Sequence, residues 1–591
     1  MPRPSHLKQS LNIFTLLLDG AYVIEEKPWF KFYLKDTPRE AIIPEVRLDE
    51  LLKQIAQEFP DRVFLSFMGA KFTFRYIDDL VDRFATALAD IGVKKGSVVA
   101  IMLPNCPQFA IAYYGALRAG AIVTTLNPLY TARETEFQLN DSGSEILIVL
   151  DILYANIIRN IKNSISIKRI IITNIADFLP PLKRIIGKLL KKIPQAKVEA
   201  DPNLCLLMDL IKKYKPNPPK VELNVRNDAA VLLYTGGTTG TPKGAVLTHY
   251  NMVANAIQCN LWSGTKKGTE ILIGVLPWYH VYGQTVVLNS AAAMGGTVIV
   301  YPRFDVEDVM RDIQKNKATL FPAVATIYNA INNHPNVKKY SLSSLRAGIS
   351  GAGPLPLSIQ ERFEKLTGAL ICEGYGLTEA APVTHCNPLD PKLRKVGSIG
   401  VPLPSTDAGI MHIEKNEFLK PGEEGEIVVS GPQVMKEYWR RPEETRETLI
   451  TINGKIWLRT GDIGKMDEDG FFYVVDRKKE LIKYKGWSVY PREIEEVLFM
   501  HEAVKDAAVV GIPDPSVGEW IKAYVVLKDE YKGRVSANEL IEWCRRNLAS
   551  YKIPKEIEFK EQLPRTIVGK LLRRLLRDEE IAKRKTTIQS S

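Results

Sequence analysis

Four short, almost wholly apolar runs constrain the fold of this chain more than any other feature. They are Val98-Val-Ala-Ile-Met-Leu103, Ala121-Ile-Val-Thr-Thr125, Ile146-Leu-Ile-Val-Leu150 and Ala229-Ala-Val-Leu-Leu233. Each has the length of a strand, and Phe109 to Ala119, between the first two, carries a helical pattern. Such runs alternating with helices predict α/β layers built on mostly parallel sheets. Val98 to Leu117 carries no charge and is long enough to suggest a membrane span. Pro104, Asn105, Pro107 and Gln108 interrupt it, so a strand, a turn and a buried helix are expected instead.

The chain has 591 residues. Single cores stop growing at about 250–300 residues, so more than one domain is expected. A charged break, Asp476-Arg-Lys-Lys-Glu480, separates two hydrophobic pieces and puts the boundary near Lys479. The domains are therefore read as 1–478 and 479–591. In the second, Ala507-Ala-Val-Val-Gly511 and Lys522-Ala-Tyr-Val-Val-Leu527 read as strands and Ala537 to Leu548 as a helix. Residues 582–591 read as a frayed basic tail.

Within the first domain, residues 154–222 differ in texture and read as a basic insertion rich in lysine, isoleucine and proline. Leu182, Ile185, Ile186, Leu189, Leu190 and Ile193 fall there at helical spacing, with Lys183, Arg184, Lys188, Lys191 and Lys192 on most of the other face. Pro180-Pro181 and Pro194 mark the ends of this helix, 182–193. A basic amphipathic helix of this kind can lie on anionic lipid, giving peripheral membrane contact. Packing of its apolar stripe on its own domain is the competing expectation.

The net charge of +11 suits polyanionic ligands such as nucleotides and coenzyme A, or an anionic membrane. No nucleic-acid-binding motif accompanies it. The six cysteines are scattered without a Cys-x-x-Cys pair, as in a reduced cytoplasmic protein, and the seven histidines lack metal-ligand spacing. The short apolar run Leu11 to Leu18 is followed by Asp19 and no small-residue cleavage site, which argues against a signal peptide.

The chemistry centres on Tyr234-Thr-Gly-Gly-Thr-Thr-Gly-Thr-Pro-Lys-Gly244. Glycines let backbone N–H groups turn toward an anion, threonines add hydroxyl donors, and Lys243 adds positive charge. The loop therefore suits a triphosphate. It is not a Walker A loop, which requires Gly-Lys-Ser/Thr opening a helix, because here Lys243 precedes Gly244 and follows Pro242. Alone, a Gly/Thr-rich surface turn would explain it equally well.

Other motifs follow at wide separation: Leu276-Pro-Trp-Tyr-His280, Gly374-Tyr-Gly-Leu-Thr-Glu379, Arg459-Thr-Gly-Asp462, Asp476-Arg477 and Pro564-Arg-Thr-Ile-Val-Gly-Lys570. In this order the set resembles the adenylate-forming enzymes, which include acyl-CoA synthetases, firefly luciferase and peptide-synthetase adenylation domains. The resemblance covers roughly residues 45 to 575 and is closest to long-chain fatty-acid–CoA ligases, chiefly through Gly374 to Pro388 and Tyr279-His-Val-Tyr-Gly283. It implies a large N-terminal domain of layered α/β subdomains with a small β-barrel, and a small mobile α+β C-terminal domain. It also implies a two-step reaction. A medium- or long-chain fatty acid attacks the α-phosphate of ATP, and coenzyme A then displaces AMP from the acyl-adenylate.

By the same resemblance, Thr235, Gly236, Gly237, Thr238, Thr239, Gly240, Thr241 and Lys243 clamp the β- and γ-phosphates. Thr238 and Glu379 hold Mg2+, and Thr378 donates to the α-phosphate. Tyr375 stacks on adenine, which Gly351-Ala352-Gly353 lets the backbone approach, and Gly374 belongs to the same nucleotide site. Asp462 accepts the ribose hydroxyls, with Arg477 beside it. Lys570 bridges carboxylate and α-phosphate. Lys479 is the hinge, and the loop from Lys483 to Trp487 serves the second half-reaction. His280 lies at the substrate end, with the acyl tunnel near Tyr282, Gly283 and Gln284. Trp278 to Val281 offers no aspartate for an α-ammonium, so the acid lacks an α-amine. An aryl or hydroxycinnamate–CoA ligase, and a non-catalytic nucleotide-binding protein at a membrane, remain the alternatives.

Overall fold

The computed structural model describes residues 27–189, 195–196, 201–235, 242–477, 480–485, 487–514, 516–565 and 571–589. Its backbone is an eight-stranded sheet in the order Glu437–Tyr438, Lys243–Thr248, Ala229–Thr235, Ile122–Thr125, Val98–Met102, Ile146–Leu150, Arg169–Thr173, Leu204–Leu206. The last six of these run parallel. All four apolar runs are strands of this one sheet. Val98–Met102 is buried along its whole length, which is why its sequence shows no polar alternation.

The uncharged stretch after that strand turns at Pro104 and enters the helix Pro107–Arg118, with Pro107 in its first turn. Every residue of the helix is buried. It is apolar all round because it is wrapped on all sides, not because it meets lipid. No helix among the described residues is long and apolar enough to cross a membrane. Arg118 closes the helix inside the protein, 2.6 Å from Asp82, 2.8 Å from Asp78 and 3.5 Å from Asp49. A buried guanidinium persists only with such partners.

Two further four-stranded sheets pack beside this core. One runs Ile271–Gly274, Thr297–Val300, Val63–Phe67, Ala70–Thr73, and the other Ala347–Ser350, Leu370–Gly376, Val383–Cys386, Val401–Pro402. Leu320 bridges both, pairing with Leu272 and with Ala347. Where a small barrel is expected, the chain forms a curled five-stranded antiparallel sheet of Asp407–Met411, Gly425–Ser430, Lys455–Met466, Leu449–Ile452 and Phe472–Arg477.

The C-terminal region has its own sheet: Trp487–Val489, Ile482–Tyr484, Gly518–Leu527, Val504–Asp514, with Glu556–Phe559 beside Gly518–Leu527. The helices Pro491–Phe499 and Ala537–Asn547 pack on it through their own apolar cluster. The expected strands 507–511 and 522–527 are thus parts of longer ones. Lys522 is 2% exposed and meets Glu556, Glu558 and Glu580 at 2.7–2.8 Å.

The lysine-rich stretch 154–222 contributes to the main sheet: Arg169–Thr173 and Leu204–Leu206 extend it, and Leu207, Leu210 and Ile211 are buried. Its lysines sit between core positions and disguise them. One sequence expectation needs correction. The tail is not frayed from residue 582, because the helix Arg573–Gln589 runs through it. Lys583 with Glu579 and Arg584 with Glu580 form i,i+4 ion pairs at 2.8 and 2.9 Å, which favour helix.

The basic helix is observed as Pro181–Leu189, and residues 190–194 lie outside the described residues. Leu182, Ile185 and Ile186 are 68%, 57% and 45% exposed. The helix is held instead by Lys183, whose Nζ donates to Met68 O at 2.8 Å. At Leu182, Ile185 and Ile186 the apolar stripe is therefore not spent on the protein's own core.

Candidate active site

The phosphate-type loop lies at the turn of a hairpin. Ala229–Thr235 and Lys243–Thr248 pair antiparallel, with Thr235 opposite Lys243 and Tyr234 opposite Gly244. A side chain at Gly244 would press on the Tyr234 ring at 3.2 Å. The Tyr234 hydroxyl donates to Asp141 Oδ2 at 2.6 Å, and Arg441 holds the other carboxylate oxygen at 2.7 Å. Both ends of the loop are thereby fixed. Gly236, Gly237, Thr238, Thr239, Gly240 and Thr241 themselves lie outside the described residues. Lys243 stands 3.8 Å from Glu444, with its ammonium 5.2 Å from the centre of the Tyr438 ring.

The second wall is the strand Leu370–Gly376. Its glycines are dictated by close neighbours: an added Cβ would lie 2.8 Å from Ile349 Cγ2 at Gly374 and 2.0 Å from Pro382 O at Gly376. Tyr375 between them is half-buried, and its hydroxyl donates to Asp462 Oδ2 at 2.5 Å. Its ring meets His385 edge-on at 5.8 Å. Burial pushes the His385 imidazole down to about 3, so it stays neutral at ordinary pH.

Asp462 lies on the strand Lys455–Met466 and is 4% exposed. Gly461 before it has φ +73°, in the left-handed region. There the chain turns so that Gly461 N donates to Glu426 Oε1 at 3.0 Å, and Glu426 in turn is gripped by Arg459 at 2.6 Å. Arg477 is opposite Asp462 in the neighbouring strand. The tyrosine, the aspartate and the arginine position therefore meet, although 87 residues separate Tyr375 from Asp462.

Thr378 and Glu379 follow in a short turn, Thr378–Ala380. Glu379 is anchored twice: its carbonyl accepts from Met435 N at 2.7 Å, and its Oε1 accepts from the Tyr438 hydroxyl at 2.6 Å. Its other carboxylate oxygen has no hydrogen-bond partner among the described residues.

The third wall descends from the strand Ala347–Ser350 to Gly351 and Ala352. An added Cβ at Gly351 would sit 3.0 Å from the Tyr282 ring, and Ala352 has φ +65°. The Tyr282 hydroxyl donates to Ile349 O at 2.7 Å. Half-buried His280 is two residues earlier, its Nδ1 accepting from Tyr282 N at 3.2 Å. Gly283 is required because a Cβ there would lie 2.2 Å from Pro277 O. Trp278 N donates to Asn105 Oδ1 at 2.8 Å, tying this segment to the turn after Val98–Met102. A mostly apolar cavity of about 20 Å³ is lined by Cys259, Val286, Met294, Leu320 and Ile349, with Asn260, Ser263, Thr265 and Ser290 as its polar residues.

Lys570 and Lys479 lie outside the described residues. Lys483 is exposed on the strand Ile482–Tyr484, its backbone N donating to Glu519 Oε2 at 2.9 Å, and Trp487 is opposite Tyr484. Both thus belong to the C-terminal sheet.

Sequence reasoning passed over Tyr438 and Glu373. A tyrosine directly before Trp439-Arg-Arg-Pro442 was the available signal for the first. Glu373, beside the Gly-Tyr-Gly turn, is half-buried, and its carboxyl is pushed up to about 7 by burial, against a hydrogen bond from Leu355 N at 3.1 Å and the charge of Arg492. A carboxyl raised above its unfolded value favours the native state at low pH. That contribution is lost as pH rises from about 4.5 through about 7. Glu373→Gln should therefore stabilise the protein at pH 8, by up to about 3 kcal/mol, and change little at pH 5. Urea unfolding at the two pH values measures this.

The site can be compared with known proteins. The AMP-binding enzyme family matches residues 52–439, and the AMP-binding enzyme C-terminal domain matches residues 493–570. The chain is 45% identical to a long-chain-fatty-acid–CoA ligase of Bacillus subtilis over 561 residues, covering 94% of this chain and 98% of that one. Among solved structures, a Mycobacterium tuberculosis fatty acyl CoA synthetase is 30% identical, with a TM-score of 0.71 over 91% of this chain and 99% of that one. ATP-bound MatB from Rhodopseudomonas palustris is 26% identical, with a TM-score of 0.74 over 90% and 99%. With its tyrosine, aspartate and glutamate motifs converging in three dimensions, the chain belongs to the AMP-binding enzyme family.

Proposed function

We propose that this chain joins a long-chain fatty acid to coenzyme A, using ATP, through an acyl-adenylate and with release of AMP and pyrophosphate. The observation that carries the reading is the Tyr375–Asp462 contact with Arg477 in register and Glu379 nearby. Buried Asp462 accepts the ribose hydroxyls, and Tyr375 presents its ring to adenine. Gly351, Ala352 and Gly374 let the base approach backbone. Thr235, Lys243 and the loop 236–241 receive the β- and γ-phosphates, and Thr378 donates to the α-phosphate. Lys570 balances the charge that builds between carboxylate and α-phosphate. The domain boundary near residue 479 serves as the hinge through Lys479, and Lys483 with Trp487 serves the thioester-forming step. Closing the C-terminal domain over the adenylate would exclude water from it.

Glu379 fits a magnesium ion, because a carboxylate oxygen without a described partner is a hard ligand of the kind that ion takes. Glu379 and Thr238 would hold it, and when bound it would neutralise charge on the departing pyrophosphate.

The acyl chain is assigned to the region of Tyr282, Gly283 and Gln284, with the nearby cavity reached through Ile349, whose carbonyl Tyr282 holds. The cavity has the volume of about one water, so side chains such as Met294 must move to admit a fatty acid. The similarity to enzymes named for long-chain fatty acids supports that substrate over an aryl acid. A panel of acids tested for coenzyme A-dependent conversion of ATP to AMP decides it. Turnover with fatty acids is expected, and turnover with hydroxycinnamates but not fatty acids would refute the reading.

The exposed stripe of Leu182, Ile185 and Ile186, flanked by Lys183 and Arg184, is read as a contact with anionic membrane, where such a substrate partitions. Residues 178 to 198 contain no acidic side chain to oppose it. Replacing Leu182 and Ile185 together by Asp should cut co-sedimentation with phosphatidylglycerol vesicles about tenfold. Equal binding by parent and variant would contradict the contact.

A further inference from the structure

Tyr438 belongs to none of the motifs that point to the function, yet it touches two of them. It lies on the edge strand Glu437–Tyr438, which pairs with Lys243–Thr248 and sets Tyr438 opposite Ala245. Its backbone position is fixed on every side. Trp439 N donates to Gly244 O at 2.7 Å, Lys436 N to Val246 O at 3.0 Å, and Tyr438 N to Thr445 Oγ1 at 2.9 Å. The side chain is 8% exposed. Its hydroxyl donates to Glu379 Oε1 at 2.6 Å, while its ring lies 5.2 Å from the Lys243 ammonium. Met435, three residues earlier on the same segment, holds the Glu379 carbonyl.

A free glutamate carboxylate turns about three side-chain bonds, and a lysine ammonium about four. Either would lose entropy on closing around a phosphate. Here one rigid ring restrains both. The hydroxyl takes one Glu379 oxygen and leaves the other facing away from it. The ring face offers Lys243 a seat that costs it no positive charge.

We propose that Tyr438 is a positioning residue, spacing the Glu379 carboxylate and the Lys243 ammonium so that the metal-bearing pyrophosphate end of ATP meets both. The inference rests on the proposed roles of Glu379 and Lys243. It assigns Tyr438 no contact with substrate. The shortness of its strand, two residues, suits this role, since the edge of the sheet is used as a bracket rather than as a layer of core.

The test is binding, not turnover. Mn2+ affinity in the presence of ATP is measured by electron paramagnetic resonance for the parent, Tyr438→Phe, Glu379→Gln and the double variant. Phenylalanine keeps the ring and the packing, so folding is not at issue. Loss of a hydrogen bond to a charged group should weaken Mn2+ binding about three- to tenfold in Tyr438→Phe. In the Glu379→Gln background the same change should cost less than about twofold, because its effect passes through Glu379. Parent-like affinity in Tyr438→Phe, or the same loss in both backgrounds, would overturn the inference while leaving the reading of Glu379 intact. Unimpaired Mn2+ binding by Glu379→Gln alone would overturn that reading, and the inference with it.

Discussion

Lys570→Ala is expected to slow acyl-adenylate formation by about 10²–10³-fold, while thioester formation from supplied acyl-AMP and coenzyme A should continue. The magnitude is that of removing one preorganised charge-stabilising group from a transition state. As the carboxylate attacks, negative charge accumulates between its oxygen and the α-phosphate, and a fixed cation there costs no reorganisation. The second step has a different geometry: a thiolate attacks a carbonyl and AMP departs. A lysine placed for the first step has no task in the second. The structure describes the neck that presents the loop 566–570. Arg565 bridges to Leu571, Leu572 N donates to Pro564 O at 2.9 Å, and Arg565 is tied to Asp506 at 2.7 Å. Pyrophosphate exchange reports the first step and a direct thioester assay the second. Equal loss of both, in a folded variant, would contradict the division.

Asp462→Ala is expected to lower kcat/KM for ATP by about 10²–10⁴-fold, two lost hydrogen bonds to a charged acceptor costing about 1.5–3 kcal/mol each. A further loss comes from Tyr375, whose hydroxyl would be left without its 2.5 Å acceptor next to the adenine site. Asp462→Asn keeps an acceptor for that hydroxyl and should retain more activity than the alanine variant. The KM for the fatty acid should move little in either. Steady-state kinetics with each substrate varied in turn separates these effects. A change confined to the fatty-acid KM would place Asp462 elsewhere.

The parts of the fold that were legible are those with one explanation. Val98–Met102 is buried on both faces, so its residue types leave no room for a surface strand or loop. The hairpin around the phosphate loop was half legible. Ala229–Thr235 announced itself and pairs with Lys243–Thr248 close by in sequence, but the edge strand at Tyr438 depends on a pairing about 190 residues away, which no local pattern encodes. In 154–222 the strands carry Arg169 and border lysine-rich turns, so composition masked a buried Ile170-Ile-Ile172. At the site, residues in glycine-rich motifs were found through the resemblance those motifs carry, and the structure shows the glycines forced by neighbouring backbone, as at Gly376 and Gly283. Tyr438 and Glu373 were missed because their significance lies in what they touch: a carboxylate in one case and a desolvating pocket in the other.

The central claim is that ATP is cleaved at its α-phosphate to make an acyl-adenylate before coenzyme A reacts. A single-turnover experiment tests it most directly. The protein is mixed with α-labelled ATP, magnesium and palmitate without coenzyme A; one portion is quenched at once, and a second is chased with coenzyme A before quenching. Labelled palmitoyl-AMP should appear with one equivalent of pyrophosphate and convert to labelled AMP and palmitoyl-CoA on the chase. Formation of ADP and phosphate, or no labelled acyl-AMP before coenzyme A is added, would contradict the account.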